Sequence, residues 1–139
     1  MKLADYDHMP FVAALMTPFP HSLRPGDPVS RARALMDEHD IRHVPVREGD
    51  RVVGIVSERD LRGRDGAAAV RDVQVADPYT VEFGAPLADV LREMAARRVD
   101  TAVVVRAEKL AGIVTVTDVC LALASLLESR FPPRGNDAA

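Results

Sequence analysis

Aromatic side chains are scarce in this chain. It has no tryptophan, and aromatic residues make up 4% of its 139 residues. Platforms that stack single-stranded nucleic acid need several exposed rings, so that class of function is not expected. Charge of one sign is not in excess either. Eighteen Lys and Arg face 21 Asp and Glu, a net charge of −3, which provides no broad basic field for a phosphate backbone. A single cysteine, Cys120, excludes an internal disulfide. In its apolar surroundings it reads as a buried structural thiol. No apolar run approaches the roughly 20 residues of a membrane-spanning helix. The opening MKLADYDHMP carries acids where a secretory signal has an apolar core. Neither nucleic acid nor a membrane is an expected partner, and the cytoplasm is the expected compartment. A chain of this length can bury roughly two thirds of its unfolded surface. That suffices for one domain, or for two half-domains sharing a core.

What the chain does have is a duplication. GIVSERDL at 54–61 returns 58 positions later as GIVTVTDV at 112–119. The same shift, without gaps, pairs Val12 with Val70, Pro20 with Pro78, Gly26 with Gly84, Pro28 with Pro86, Met36 with Met94 and Val46 with Val104. Similar residues fill between, among them Ser22 with Thr80, Leu23 with Val81, Ile41 with Val99 and Ser57 with Thr115. A solenoid needs about three copies or more. Two copies predict a pair of units closing one core around a pseudo-twofold axis.

Each unit reads β-α-β-β-α. A short extended piece, PHSL or PYTV, is followed by a Gly-Pro turn. In the first copy Asp27 is a suitable N-cap and Pro28 suits the first helical position. The helices PVSRARALMDEH and PLADVLREMAAR gather Val29, Ala32, Leu35 and Met36, and Leu87, Val90, Leu91 and Met94, on one face each. Two β-rich pieces follow, joined by REGD in one copy and RAEK in the other. Their near-continuous apolar character predicts strands covered on both faces or lying on a packed sheet. After GIVS and GIVT the period becomes helical. The expected fold class is α/β (α+β), with repeats over 12–64 and 70–127 packed through their sheets. The polar tail 132–139 is expected to be disordered.

HVPV, GIVSERDL, GIVTVTDV and the opening LMTPFPHSL together resemble the CBS-domain family, in the tandem arrangement called a Bateman module. The resemblance covers residues 12–127. The second copy departs at VQVADPYTV, where Gln74 and Val75 stand for Met16 and Thr17. The resemblance implies binding of an adenine nucleotide (AMP, ADP or ATP) or a related adenosyl ligand, and assembly into a homodimer.

Ser57-x-x-Asp60 and Thr115-x-x-Asp118 have the spacing of a capping box, which needs no ligand. The same groups suit a ligand: helix N-terminal N–H groups attract anions, and Asp accepts from the paired hydroxyls of a ribose. The resemblance implies ribose and phosphate contacts at these positions, and a cap and a contact are compatible. It also implies that backbone groups at Ser22, Leu23, His43 and Val44, and at Thr80, Val81, Thr101 and Ala102, read the adenine edge. Gly54 and Gly112 lie inside strands, where glycine marks a close approach by ligand, backbone or packed element. Arg59, with Thr117 as its counterpart, is the leading phosphate candidate, followed by Arg62 and Arg64. Since arginine is abundant throughout the chain, a solvent-exposed role is the competing reading. Arg42 and His43 face Asp100 and Thr101 in the alignment, so the first copy is richer in phosphate-binding groups.

His39 and His43 are four apart but straddle the helix end, and no metal-binding spacing is present, so no metal site is expected. No catalytic constellation stands out, and no cofactor is required. The expectation is a ligand sensor, not an enzyme, that signals in trans to an unidentified effector protein. The apolar stretch VCLALASLLESRF and the helix of 28–39 are expected to form the homodimer interface. A non-catalytic scaffold dimer with empty clefts is the main alternative. A redox- or metal-responsive protein using Cys120 and histidines is a third reading.

Overall fold

The computed structural model describes residues 2–133. The expected disorder of 132–139 falls outside these residues except at Pro132 and Pro133, which are exposed and without regular structure. The first repeat contains β1 (Thr17–Pro18), α1 (Val29–His39), β2 (His43–Glu48), β3 (Arg51–Ser57) and α2 (Glu58–Leu61). The second contains β4 (Val75–Ala76), β5 (Thr80–Glu82), α3 (Leu87–Arg97), β6 (Thr101–Arg106), β7 (Lys109–Thr115) and α4 (Val116–Arg130). Among the described residues no helix is long and apolar enough to cross a membrane.

Each repeat lends its first strand to the other's sheet. β1 pairs antiparallel with β7, Thr17 opposite Ile113, in the order β1-β7-β6-β5. β4 pairs with β3, Val75 opposite Ile55, in the order β2-β3-β4. The exchange obeys the 58-residue shift down to single hydrogen bonds. Val12 N donates to Ala85 O and Val70 N to Asp27 O, both at 2.8 Å. Leu87 N donates to Pro10 O at 2.9 Å and Val29 N to Ala68 O at 2.8 Å. The cores are completed in the same way. Val70 and Val73 pack with Leu23, Val29, Met36, Val44 and Val56 of the first repeat. Val12 packs with Leu87, Val90, Met94, Ala102 and Val114 of the second. The period-2 geometry of the strands turns alternate residues to the opposite face. There Ile55, Val103 and Ile113 form a small third cluster joining the two sheets.

Several local expectations are corrected. Pro28 is the N-cap of α1 and helix geometry starts at Val29. Asp27 Oδ2 instead accepts from Arg24 N at 2.8 Å, closing the preceding turn. The first amides of α1 find carbonyls of the inter-repeat segment, with Ser30 N bonding Gly66 O at 2.9 Å. PHSL forms only a single parallel bridge, Leu23 with Val46, whereas the last two residues of PYTV enter β5 (Thr80–Glu82). The cause is Pro25. Its counterpart Phe83 donates its N–H to Val105 O at 2.9 Å, and proline has no N–H to give. The helix after GIVS is a single turn, because Gly63 at φ +71° takes the left-handed conformation that ends it. The Leu61 carbonyl accepts from Arg64 N at 3.1 Å and from Arg33 Nη2 at 2.9 Å. α4 meets no such stop and runs 15 residues. Cys120 is exposed, not buried, because no residue of α4 is buried within the chain.

Candidate functional site

The repeated phrase folds as two capping boxes. Asp60 Oδ2 accepts from Ser57 N at 2.8 Å, and Ser57 Oγ accepts from Asp60 N at 3.2 Å. Asp118 Oδ2 accepts from Thr115 N at 2.8 Å, and Thr115 Oγ1 accepts from Asp118 N at 3.3 Å. These bonds use only Oδ2 of each carboxylate. The two boxes differ in one bond: Thr115 Oγ1 also donates to Asp118 Oδ2, at 3.0 Å. Ser57 makes no such bond, so its hydroxyl proton stays uncommitted.

A cleft of about 480 Å³ opens beside the first box, between the two repeats. That volume suits a small organic ligand. One wall carries His43 from the start of β2, Ser57 from the end of β3, and Arg59, Asp60 and Arg62. The other carries Pro78 and Tyr79 ahead of β5, Arg97 and Arg98 from the end of α3, and Thr101. The ladder sets both walls, because His43 lies opposite Ser57 and Thr101 opposite Thr115 at matching strand ends. Burial drives the pKa of His43 below its ordinary 6.5, against the opposing pull of the Asp100 and Asp60 carboxylates. At the rim the Arg97 guanidinium lies 4.5 Å over the Tyr79 ring and its Nε donates to Glu93 Oε1 at 2.8 Å. Burial pushes the Tyr79 hydroxyl above its ordinary value, aided by Glu93.

Of the site residues read from sequence, the cleft gathers His43, Ser57, Arg59, Asp60 and Thr101, together with Arg62. The others go elsewhere. Ser22 Oγ accepts from Arg47 Nε at 2.7 Å. Leu23, Val44 and Ala102 are buried in the cores, so only their backbone is left to meet a ligand. The Thr80 hydroxyl donates to Pro78 O at 2.9 Å, and Val81 packs on the second core. Thr115 and Asp118 close the second box, away from this cleft. Arg64 is exposed and its carbonyl accepts from Arg33. Gly54 and Gly112 face side chains of the exchanged segments, Gln74 and Met16, rather than a cavity. Because α2 has only four residues, little of the helix dipole expected at Asp60 is present.

Tyr79, Arg97 and Arg98 went unread in the sequence. A signal existed in the alignment itself: Tyr79 and Arg97 correspond to His21 and His39, which also stack, with centroids 3.8 Å apart and planes at 16°.

Comparison with known proteins agrees with this architecture. The model of the CBS domain matches residues 12–65 and 70–125. Inosine-5'-monophosphate dehydrogenase of Korarchaeum cryptofilum is 36% identical over 100 residues, covering 70% of this chain and 21% of that protein. The chain spans about a fifth of the length of the dehydrogenases it matches. AcuB of Vibrio cholerae superposes with a TM-score of 0.81 at 29% identity, over 91% of this chain and 99% of that one. CBSX2, crystallised in complex with AMP, superposes with a TM-score of 0.74 at 27% identity, over 84% and 98%. The duplicated sequence, the exchanged strands and the tandem match lead to one assignment: the chain belongs to the CBS-domain family.

Proposed function

We propose that this protein is a regulatory module that binds an adenine nucleotide or related adenosyl ligand in the cleft between its repeats. The observation that carries the reading is the cleft itself, where the Asp60 carboxylate and Ser57 hydroxyl of one repeat face Tyr79 and Thr101 of the other. The CBSX2 structure, which holds AMP, supports the ligand class. The module is non-catalytic and acts in the cytoplasm. Ligand binding changes the geometry of a homodimer, and a partner protein reads the change. A ligand biases such an equilibrium only through different affinities for the two states, and a ligand touching both repeats has that property. The dimer reading rests on α4, where Val116, Cys120, Leu123, Leu127 and Phe131 form an exposed row along the helix. The solvent face of α1 is polar (Ser30, Arg31, Asp37 and Glu38), so α1 contributes little to it.

Thermal unfolding of ligand-free protein with adenosine, AMP, ADP, ATP, NAD and S-adenosylmethionine tests the reading. A ligand at 100 times its Kd that binds only the folded state adds about 2.7 kcal/mol. For a chain of this size that raises Tm by about 5–10 °C. No shift with any of them refutes the sensor and favours the empty scaffold.

A further inference from the structure

We propose that the two halves of the module have diverged, so that each chain has one phosphate-reading cleft, at Asp60, and that this cleft takes a phosphorylated adenosyl ligand in preference to an unphosphorylated one. The inference rests on the adenosyl-binding reading and adds the class of ligand and the number of sites.

The cleft at Asp60 is lined by five arginines: Arg42, Arg59, Arg62, Arg97 and Arg98. Arg42 lies 3.6 Å from Glu58 and Arg97 is held by Glu93. Arg59, Arg62 and Arg98 form no ion pair among the described residues. Glu58, Asp60, Asp77 and Asp100 line the same cleft, so its five arginines exceed its carboxylates by one, and the planar forks left without an ion pair can hold phosphate oxygens.

The pseudo-twofold equivalents have lost this chemistry. Thr117 replaces Arg59, Cys120 replaces Arg62, His39 replaces Arg97 and Asp40 replaces Arg98. A second difference points the same way. Thr115 spends its hydroxyl proton on Asp118, whereas the Ser57 proton is free for a ligand oxygen. Arg98 occupies a left-handed position, φ +56°, as its counterpart Asp40 does at φ +51°, so the conformation belongs to both repeats and glycine would be favoured there.

Isothermal titration calorimetry with adenosine, AMP and ATP tests this on the wild type, Asp60→Asn, Asp118→Asn, Arg59→Ala and Arg98→Gly. Asparagine retains an oxygen for the cap, so the two Asp variants are expected to fold. The expected result is one nucleotide per chain, with affinity rising at least tenfold from adenosine to AMP and to ATP. Arg59→Ala and Arg98→Gly should each weaken ATP about tenfold and leave adenosine within twofold. The Tm of Arg98→Gly should be unchanged or raised, since glycine relieves the left-handed strain. Asp60→Asn should weaken ATP and Asp118→Asn should not. Two equivalent ATP sites, equal affinity for adenosine and ATP, or loss of ATP binding in Asp118→Asn overturns the inference while leaving the sensor reading intact. Failure of every adenosyl compound to bind overturns both.

Discussion

Gly112→Ala and Gly54→Ala add the same methyl group at equivalent positions, yet their costs should differ. A Cβ at Gly112 would lie 2.5 Å from Met16 Sδ, 2.9 Å from Met16 Cγ and 3.0 Å from the backbone oxygen of Thr17. Met16 packs against the second core, and Thr17 is paired with Ile113 in the exchanged ladder. Relief therefore requires moving both a core side chain and β1. The three atoms nearest a Cβ at Gly54 all belong to the Gln74 side chain, with Cδ at 2.6 Å and Oε1 at 2.7 Å. Those atoms end a flexible side chain, and Gln74 Oε1 is buried without a hydrogen-bond partner. Pushing it toward water removes a desolvated acceptor as well as the clash.

Overpacking costs typically 1–3 kcal/mol, and replacing glycine inside a strand returns roughly 0.5–1 kcal/mol. Gly112→Ala should therefore lose about 1–2 kcal/mol, a fall of about 3–6 °C in Tm, and Gly54→Ala should stay within about 0.5 kcal/mol of wild type. Urea unfolding of ligand-free protein measures both, with unchanged m-values as the check that only the folded state has moved. A double-mutant cycle with Met16→Ala should show coupling of at least ~0.5 kcal/mol at Gly112. Equal costs at the two glycines, or no coupling to Met16, would refute the assignment of the repeated glycine to close packing of the exchanged segments.

Leu123→Glu places a charge in the exposed row of α4 and should give a monomer at tens of micromolar with an unchanged far-UV spectrum; sedimentation velocity that still shows a dimer removes α4 from the interface. For His43, burial favours the neutral ring, so as pH falls the unfolded chain takes up this proton first. The contribution is fully present above pH 6.5 and is lost below it, so the wild type should lose more stability between pH 7 and pH 5 than His43→Gln; parallel pH profiles would contradict that origin.

The duplication made the elements legible because their signals are local. The apolar faces at Val29, Ala32 and Met36, and at Leu87, Val90 and Met94, are buried as their spacing requires. Hairpin turns fall within REGD and RAEK, the second with Ala107 and Glu108 both left-handed. What stayed hidden depends on distant partners. Nothing near Asp27 reveals that carbonyls of 66–68 serve the first amides of α1. The exchange of β1 and β4 leaves no local mark, since two-residue strands have no periodicity. Cys120 reads as buried because an apolar helix in so small a chain looks like a core element, yet α4 is covered only in part, by Leu3–Asp5 and through Val119 on the second core. At the site, the repeated phrase gave Ser57, Arg59 and Asp60 directly. Tyr79 and Arg97 are 18 positions apart and meet only through the turn of the chain between β4 and α3.

The exchange of segments constrains how such a module can respond to a ligand. Neither core is complete within one repeat, because the first needs Val70 and Val73 and the second needs Val12. Burying these valines stabilises by roughly 1.5–3 kcal/mol each, so separating the repeats would forfeit several kcal/mol. Repeat separation is therefore too costly to serve as a routine response. The direct junction between the sheets is far smaller: Ile55, Val103 and Ile113, flanked by Val52 and Leu110. One hydrogen bond, from Leu110 N to Asp50 O at 3.0 Å, ties the two hairpins at one end, and the side chains of the junction are otherwise apolar, so small sliding is the cheaper motion. A ligand in the proposed cleft, close to Ile55 and held by residues of both repeats, would act on that junction. It would shift the sheets while leaving the exchanged strands paired, and α4, which continues directly from β7, would carry the shift to the exposed apolar row.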